Sequence, residues 1–380
     1  MNRTQWLLAG ALVCGAVVLF TLLPPAHGGK PTKGILANEV ARIIARHYIA
    51  PLGSEEDVMR CLRTRGFRAC VNDPHSYLLT REEYARVKKY ELSLDARATI
   101  IRTTVESPFC LIRIPFFTEH SYAEVLSLLS QCLRENGGRV EGVLFDLRGN
   151  TGWMMQSASA LATFPFESTG GVKSEQEARL FGLAVYGFRV EDIFTPVDLA
   201  RVVPASSVTV SIEARGTRWP VYSSALLGES ADIVDGAPVV VLVDSQCASA
   251  CEIFARVMQM RGRALIAGTD PHTFGKGTMQ FLLPLGETPG EEGALVLTTH
   301  HILIGPVGCE ESVQHGGVVP DIPLRRLADE GAILPLERML ARTLPPPRPH
   351  KKHCAPLSVP TEFWPAAHRM LADMGLQVSN

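Results

Sequence analysis

The stretch "GAPVVVLVDSQCASACEIFARVMQMRGRALIAGT", residues 236–269, constrains the fold more than any other part of the chain. Its core, Val239 to Val243, is apolar at every position and offers no face to water. A strand of that kind belongs inside a parallel sheet covered on both sides. The residues after it have helical spacing. Ile253, Phe254, Val257 and Met258 form one stripe, and Gly262 is the expected stop. "RALIAGT" then reads as the next strand. Strand, helix and strand at this spacing make a βαβ unit.

The same pattern occurs upstream. "FCLIRIPFF" is a strand ending near Pro115, and "SYAEVLSLLSQCLRENGG" is an amphipathic helix stopped by Gly137 and Gly138. "VEGVLFDLRGNTG" is a second buried strand running into a glycine-containing turn. "SSVTVSIEA", "GTMQFLLPL" and "GALVLTTHHIL" are further strands, the last two read as a hairpin across "GETPGEEG". Residues 31–92 are mostly helical, from "GILANEVARIIARHY" to "REEYARVKKY", whose acidic start and basic end suit the helix dipole. The first 30 residues stand apart. Arg3 precedes an apolar run from Trp6 to Leu23, which reads as a signal peptide or an N-terminal membrane anchor. The expected organisation is 1–30 leader, 31–92 helical segment, 93–328 core, and 329–380 a proline-rich arm with a terminal helix.

A net charge of −2 on 380 residues gives no reason to expect a nucleic-acid partner. Export matters for the cysteines. Eight of the nine lie beyond the leader, and an oxidising compartment permits them to pair. Cys61 with Cys70 is the simplest local pair. Metal-ligand spacing is weak: His300 and His301 on a strand point to opposite faces, and His350, His353 and Cys354 sit in the proline-rich arm. No metal and no cofactor is expected.

Ser249 follows the buried strand at a helix start, where free backbone N–H groups can hold an oxyanion. The position also suits an ordinary N-cap serine. A serine nucleophile needs a base. No histidine forms a recognisable signature with it, but Lys276, between Gly275 and Gly277, has little packing reason to be where it is. It also suits a solvated turn. Cys247 and Cys251 flank the serine.

"NDPHSYLL", "GVLFDLRGNTG", the 236–269 stretch, "TFGKGTMQ", "GALVLTTHHILIGPVG" and "HGGVVPDIPL" occur in one order across residues 60–325. In that order they resemble the C-terminal processing peptidases, or tail-specific proteases. The resemblance implies an α/β fold with a crotonase-like or ClpP-like parallel-sheet core behind an N-terminal helical segment. It also implies a Ser-Lys peptidase: Ser249 as nucleophile, Lys276 as general base, Gln280 orienting the lysine, and the N–H groups of Gly152 and Ala250 as the oxyanion hole. Glu252 matches a family glutamate to which no catalytic part is assigned.

Four departures stand out. The interval between "REEYARVKKY" and "FCLIRIPFF" is too short for the family's PDZ domain. The family's Asn-Pro-Gly-Gly turn is "NTGWMM", so Trp153 replaces a glycine. A tight turn there would strain Trp153; Trp153 and Met154 are alternatively read as walls of an apolar substrate pocket. "GTDPHTFGKG" is about two residues longer than usual, which a loop tolerates, and it brings in His272. Finally, Cys247 and Cys251 stand where serines usually stand. They are read as small packing side chains, with a disulfide across the nucleophile's turn as the alternative.

The functional expectation is an exported, periplasmic or otherwise extracytoplasmic serine endopeptidase acting on polypeptides through an acyl-enzyme. Its partners are a protein or peptide substrate, the membrane if the leader is retained, and a second copy if the helical segment self-associates. The alternative is an inactive peptidase-like protein that binds polypeptides or acts as a scaffold.

Overall fold

The computed structural model describes residues 34–95, 101–102, 108–118, 120–162, 208–223, 232–285, 293–306, 308–325, 344–347 and 355–379. The leader, His350, His353 and Cys354 lie outside them. The N-terminal segment holds helices α1 (Gly34–His47), α2 (Glu55–Arg65) and α3 (Phe67–Cys70), strand β1 (Tyr77–Leu79) and helix α4 (Arg81–Asp95). The core continues with β2 (Ile101–Arg102), β3 (Phe109–Arg113), α5 (Ser121–Glu135), β4 (Gly142–Asp146), α6 (Met155–Leu161), β5 (Val208–Ala214) and β6 (Thr217–Ser223). After these come β7 (Val239–Val243), α7 (Ala250–Met260), β8 (Leu265–Gly268), β9 (Thr278–Leu285), β10 (Gly293–Pro306), β11 (Ile322–Pro323) and α8 (Phe363–Asp373).

One sheet has the order β11-β8-β7-β4-β3-β2 and is parallel except at its β2 edge. Its central strands β4, β7 and β8 are buried at every residue. Alternate side chains face opposite layers. Phe145, Val239, Val241 and Ile266 pack with Val125 and Leu129 of α5 and with Phe254 and Val257 of α7. Leu144, Val240, Leu242 and Leu265 pack with Phe363, Ala367, Met370 and Leu371 of α8. The terminal helix therefore covers the second face of the sheet. Its chain end is pinned by the Arg325 N–H to the Gln377 carbonyl at 2.8 Å and the Ser379 N–H to the Pro323 carbonyl at 2.8 Å.

The second sheet corrects the expectation of a crotonase-like or ClpP-like parallel-sheet core. It is antiparallel, with the order β1-β10-β5-β6 and β9 also paired to β10. Parallel strands need a crossover of a dozen or more residues. The β9 to β10 connection is shorter than that, and β5 turns into β6 through Arg215 and Gly216 alone, both at positive φ. Such connections admit only antiparallel pairing. The long β10 then serves as the spine, pairing with β9 over its first part and β5 over its second.

The helical segment packs on this second sheet. Val40, Ile44, Val58 and Leu62 bury against Leu285, Leu295 and Leu297. Two capping boxes start its helices: Ser54 with Asp57 on α2, and Thr80 with Glu83 on α4. Cys61 and Cys70 form a disulfide, and Cys110 on β3 is joined to Cys132 on α5. Helix α4 ends at Asp95 and β3 begins at Phe109.

Candidate active site

The turn that carries Ser249 lies between β7 and α7. Ser249 is fully buried, with φ 57° and ψ −117°. That backbone conformation is uncommon for a residue with a side chain and is characteristic of sharp strand-to-helix elbows. The hydroxyl sits toward the Glu252 N–H in a capping-box arrangement, without a hydrogen bond of ordinary geometry to any described residue. The turn is held from several sides. Asp244 accepts N–H bonds from Gln246 and Cys247, and also from Gly149 on the loop after β4. Burial pushes the Asp244 carboxyl up, opposed by those three bonds and reinforced by nearby Asp270. The Ala248 N–H donates to the Asn150 carbonyl at 3.1 Å.

Lys276 is 1% exposed, so it is not a solvated turn lysine. Gly277 beside it has no room for a Cβ, which would collide with Ser312 and Gln314. The lysine's loop is tied directly to the Ser249 turn. The Phe274 N–H donates to the Cys247 carbonyl at 2.9 Å. Fully buried Glu252 is the junction. Its Oε2 accepts the N–H of Ser249 at 2.9 Å and that of Lys276 at 2.8 Å. Its Oε1 accepts the Gly275 N–H and the Thr273 hydroxyl, both at 2.6 Å. Burial pushes this carboxyl up while the four bonds pull it down. The backbones of Ser249 and Lys276 thus sit on one oxygen atom. Glu252 is a residue whose role the sequence reading missed, although a glutamate three residues after a helix-start serine is a capping-box signal.

Gln280 lies on β9, also buried. It does not reach Lys276 through any hydrogen bond among those described. The lysine Nζ donates to the Thr278 carbonyl at 2.9 Å, while Gln280 Nε2 donates to Thr278 Oγ1 and Thr298 Oγ1, both at 3.1 Å. Thr298 is the cross-strand neighbour of Gln280. Its hydroxyl donates to Asp73 at 2.6 Å, as does that of Ser76. The "NDPHSYLL" segment thereby joins the site, with buried Asp73 at the end of the chain of bonds. Gln280 Oε1 has no partner among the described residues.

His75 of the same segment is pushed down to about 3 by burial, then by the charge of Lys276 and by His315. Buried His300 on β10 is pushed down to about 3 by burial, then by His47 and His301. Both stay neutral in the fold at pH values where the unfolded chain binds a proton. Stability is therefore complete above about pH 6.5 and falls as pH drops toward 3. His300 alone is expected to remove ~3 kcal/mol by pH 4. Thermal unfolding at pH 7 and pH 4 checks this, with a flatter dependence in His300→Gln; a fold more stable at pH 4 would contradict it.

Gly152 lies against the turn. A Cβ there would sit 2.5 Å from the Ala248 carbonyl, 2.8 Å from the Ala250 nitrogen and 2.9 Å from Ser249 Cβ, so only glycine fits. Its own N–H donates to Asn150 Oδ1 at 2.7 Å. Ala250 is the first residue of α7.

The model for peptidase family S41 matches residues 108–324, which include Gly152, Ser249, Glu252, Lys276 and Gln280. The chain belongs to this family of serine peptidases. It is 44% identical over 91 residues to a carboxy-terminal-processing protease of Bartonella bacilliformis, covering 24% of this chain and 19% of that one. It is 29% identical over 180 residues to a carboxyl-terminal-processing protease of Synechocystis sp., covering 47% and 31% respectively. The chain thus spans less than a third of these relatives. A solved photosystem II D1 C-terminal processing protease is 16% identical, with a TM-score of 0.49, over 77% of this chain and 92% of that one.

Within this S41 chain, Trp153 carries the departure that matters most for geometry. Its φ is 104°, in the region that favours glycine. The backbone is locked there on both sides: the Phe117 N–H donates to the Gly152 carbonyl and the Met154 N–H to the Phe117 carbonyl. The conformation costs about 1–3 kcal/mol. Burying an indole is worth more, since truncating a buried Trp costs about 3–5 kcal/mol, and Trp153 is buried. Trp153→Gly is therefore expected to destabilise by about 1–3 kcal/mol despite relaxing the backbone. Chemical denaturation measures the sign, and a stabilised variant would show strain to be the larger effect. Met154 is half-buried against the core.

Cys247 and Cys251 form a disulfide, with Cα atoms 5.4 Å apart. The reading of them as two separate packing side chains is corrected. Cys247 precedes the helix, and the elbow at Ser249 brings it closer to Cys251 than a helical turn would. His272 is partly buried, with Nδ1 2.6 Å from the Thr273 carbonyl. His300 and His301 are both strongly shifted toward the neutral form.

Proposed function

We propose that this chain is an extracytoplasmic serine endopeptidase that cleaves polypeptides through an acyl-enzyme. The observation that supports this reading is the shared Glu252 oxygen, which accepts the backbone N–H groups of both Ser249 and Lys276 in a buried site. Ser249 Oγ attacks the scissile carbonyl. Lys276, acting as a neutral amine, takes the hydroxyl proton and later gives it to the leaving amine. Burial disfavours the charged form of an amine. The Thr278 carbonyl takes one N–H of that amine and leaves its lone pair for the proton. Gln280 Oε1, unpartnered in the resting site, is the acceptor for a further N–H when the amine moves. Being uncharged, it holds the amine without favouring the ammonium.

The N–H groups of Ala250 and Gly152 receive the oxyanion. In the resting state the Gly152 N–H is held by Asn150 Oδ1, so the substrate oxygen must displace this side chain or share its donor. Trp153 and Met154, on the residues that follow, wall the apolar side of the substrate position. The occupied donor is also what favours the second reading, a polypeptide-binding protein without turnover.

An unfolded protein or a peptide library, offered to the purified chain and to Ser249→Ala, separates the two. Cleavage that vanishes in the variant is the expected result. Binding without serine-dependent cleavage would establish the scaffold instead.

A further inference from the structure

We propose that the Cys247–Cys251 disulfide is a fixed clamp that positions the nucleophile, and that it is not a redox switch. The inference rests on Ser249 being the nucleophile. The bridge closes a ring around Ala248, Ser249 and Ala250, the three residues whose backbone sets the elbow. Both alanine side chains lack hydrogen-bonding groups, so neither can hold the turn. Ser249 is at φ 57°, a conformation that a free chain leaves readily. Noncovalent restraints act mainly through backbone groups: the Ser249 N–H on Glu252, the Cys247 N–H on Asp244, and the Cys251 N–H on the Ala248 carbonyl. The disulfide adds the one covalent restraint across the ring.

Accessibility decides between clamp and switch. Thiol–disulfide exchange requires a thiolate to reach a sulfur. Cys247 and Cys251 are both 0% exposed and lie in the main apolar cluster with Phe254, Val241 and Leu147. Cys61 of the Cys61–Cys70 bridge is partly exposed. A reductant acting on the folded protein therefore reaches Cys61–Cys70 first and leaves the nucleophile's ring closed.

Two measurements test the proposal. In the first, folded wild-type protein is treated with dithiothreitol and iodoacetamide, and alkylation is located by mass spectrometry. Cys61 and Cys70 are expected to be labelled while Cys247 and Cys251 are not, with turnover of a polypeptide substrate unchanged. Labelling of Cys247 and Cys251 as fast as Cys61, with reversible loss of turnover, would overturn the clamp in favour of a switch. In the second, C247A/C251A is compared with wild type by amide hydrogen exchange and steady-state kinetics. Exchange at residues 247–252 is expected to quicken at least about tenfold while residues 239–243 stay as protected as before. Turnover is expected to fall about tenfold or more, with KM changed by less than about threefold. Unchanged exchange with unchanged kcat would overturn the positioning role. If wild type shows no Ser249-dependent cleavage, the reading of Ser249 fails while alkylation and exchange still decide the clamp. A variant that does not fold leaves the wild-type alkylation result to decide it.

Discussion

Ser249→Ala and Lys276→Ala, alone or together, are expected to lower kcat for a polypeptide substrate by the same factor, on the order of 10⁴ or more. The equality is the informative part. In the proposed mechanism nucleophile and base act on one proton, so removing either removes the whole reaction path, and the second removal has nothing left to affect. Neither change should unfold the protein. The Lys276 backbone stays on Glu252, and its side chain donates to a backbone carbonyl, that of Thr278. Truncating a buried amine also removes the requirement to desolvate it. Thermal unfolding within a few degrees of wild type, alongside lost turnover, is the expected pair of results. Losses that multiply in the double variant would mean that the two side chains act in separate steps. Turnover retained in Lys276→Ala would place the base elsewhere, and His75, whose shift registers the lysine's charge, would be the first residue to examine.

Glu252→Ala is expected to cost about 3–5 kcal/mol of stability and to abolish turnover in whatever fraction still folds. The carboxylate satisfies four donors: the N–H groups of Ser249, Gly275 and Lys276 and the hydroxyl of Thr273. Each orphaned buried donor costs about 1–3 kcal/mol, reduced where a water can enter the vacated space. Glu252→Gln is the sharper variant because its volume is unchanged. Its amide keeps one oxygen for two of the donors and turns an NH₂ group toward the other two, donor against donor. A loss of about 2–4 kcal/mol is expected there, read from urea midpoints at constant m-value. Glutamine tolerated at under about 1 kcal/mol would show that the loop adjusts and that Glu252 does not bind the two halves of the site together.

The physical difference between Ser249 and Glu252 explains how much of the site was legible. Ser249 is marked by its neighbours in the chain: an apolar strand before it, a helical stripe after it and small residues around it. Glu252 is marked only by its capping-box distance from that serine, which would have suggested one local bond. Its other three bonds go to residues 273–276, and nothing periodic in the sequence points there. Gln280 is intermediate. The resemblance implied that it orients Lys276, while the strand register places it beside Thr298 and its described bonds run through threonines to Asp73.

Periodicity determined the local elements around the site. Continuous apolar runs called for strands buried on both faces, and β4, β7 and β8 are such strands. Alternation of period near 3.6 called for α5 and α7, and both form. Tertiary structure decided the rest. The short connections after β5 and β9 turn the chain back into an antiparallel sheet, so one parallel core could not hold all the strands. The terminal helix found an uncovered sheet face and became part of the core. The elbow at Ser249 folded Cys247 back onto Cys251. These outcomes depend on which surfaces meet, and that is set by burying apolar area and satisfying backbone groups over the whole chain at once. No window of the sequence contains that information.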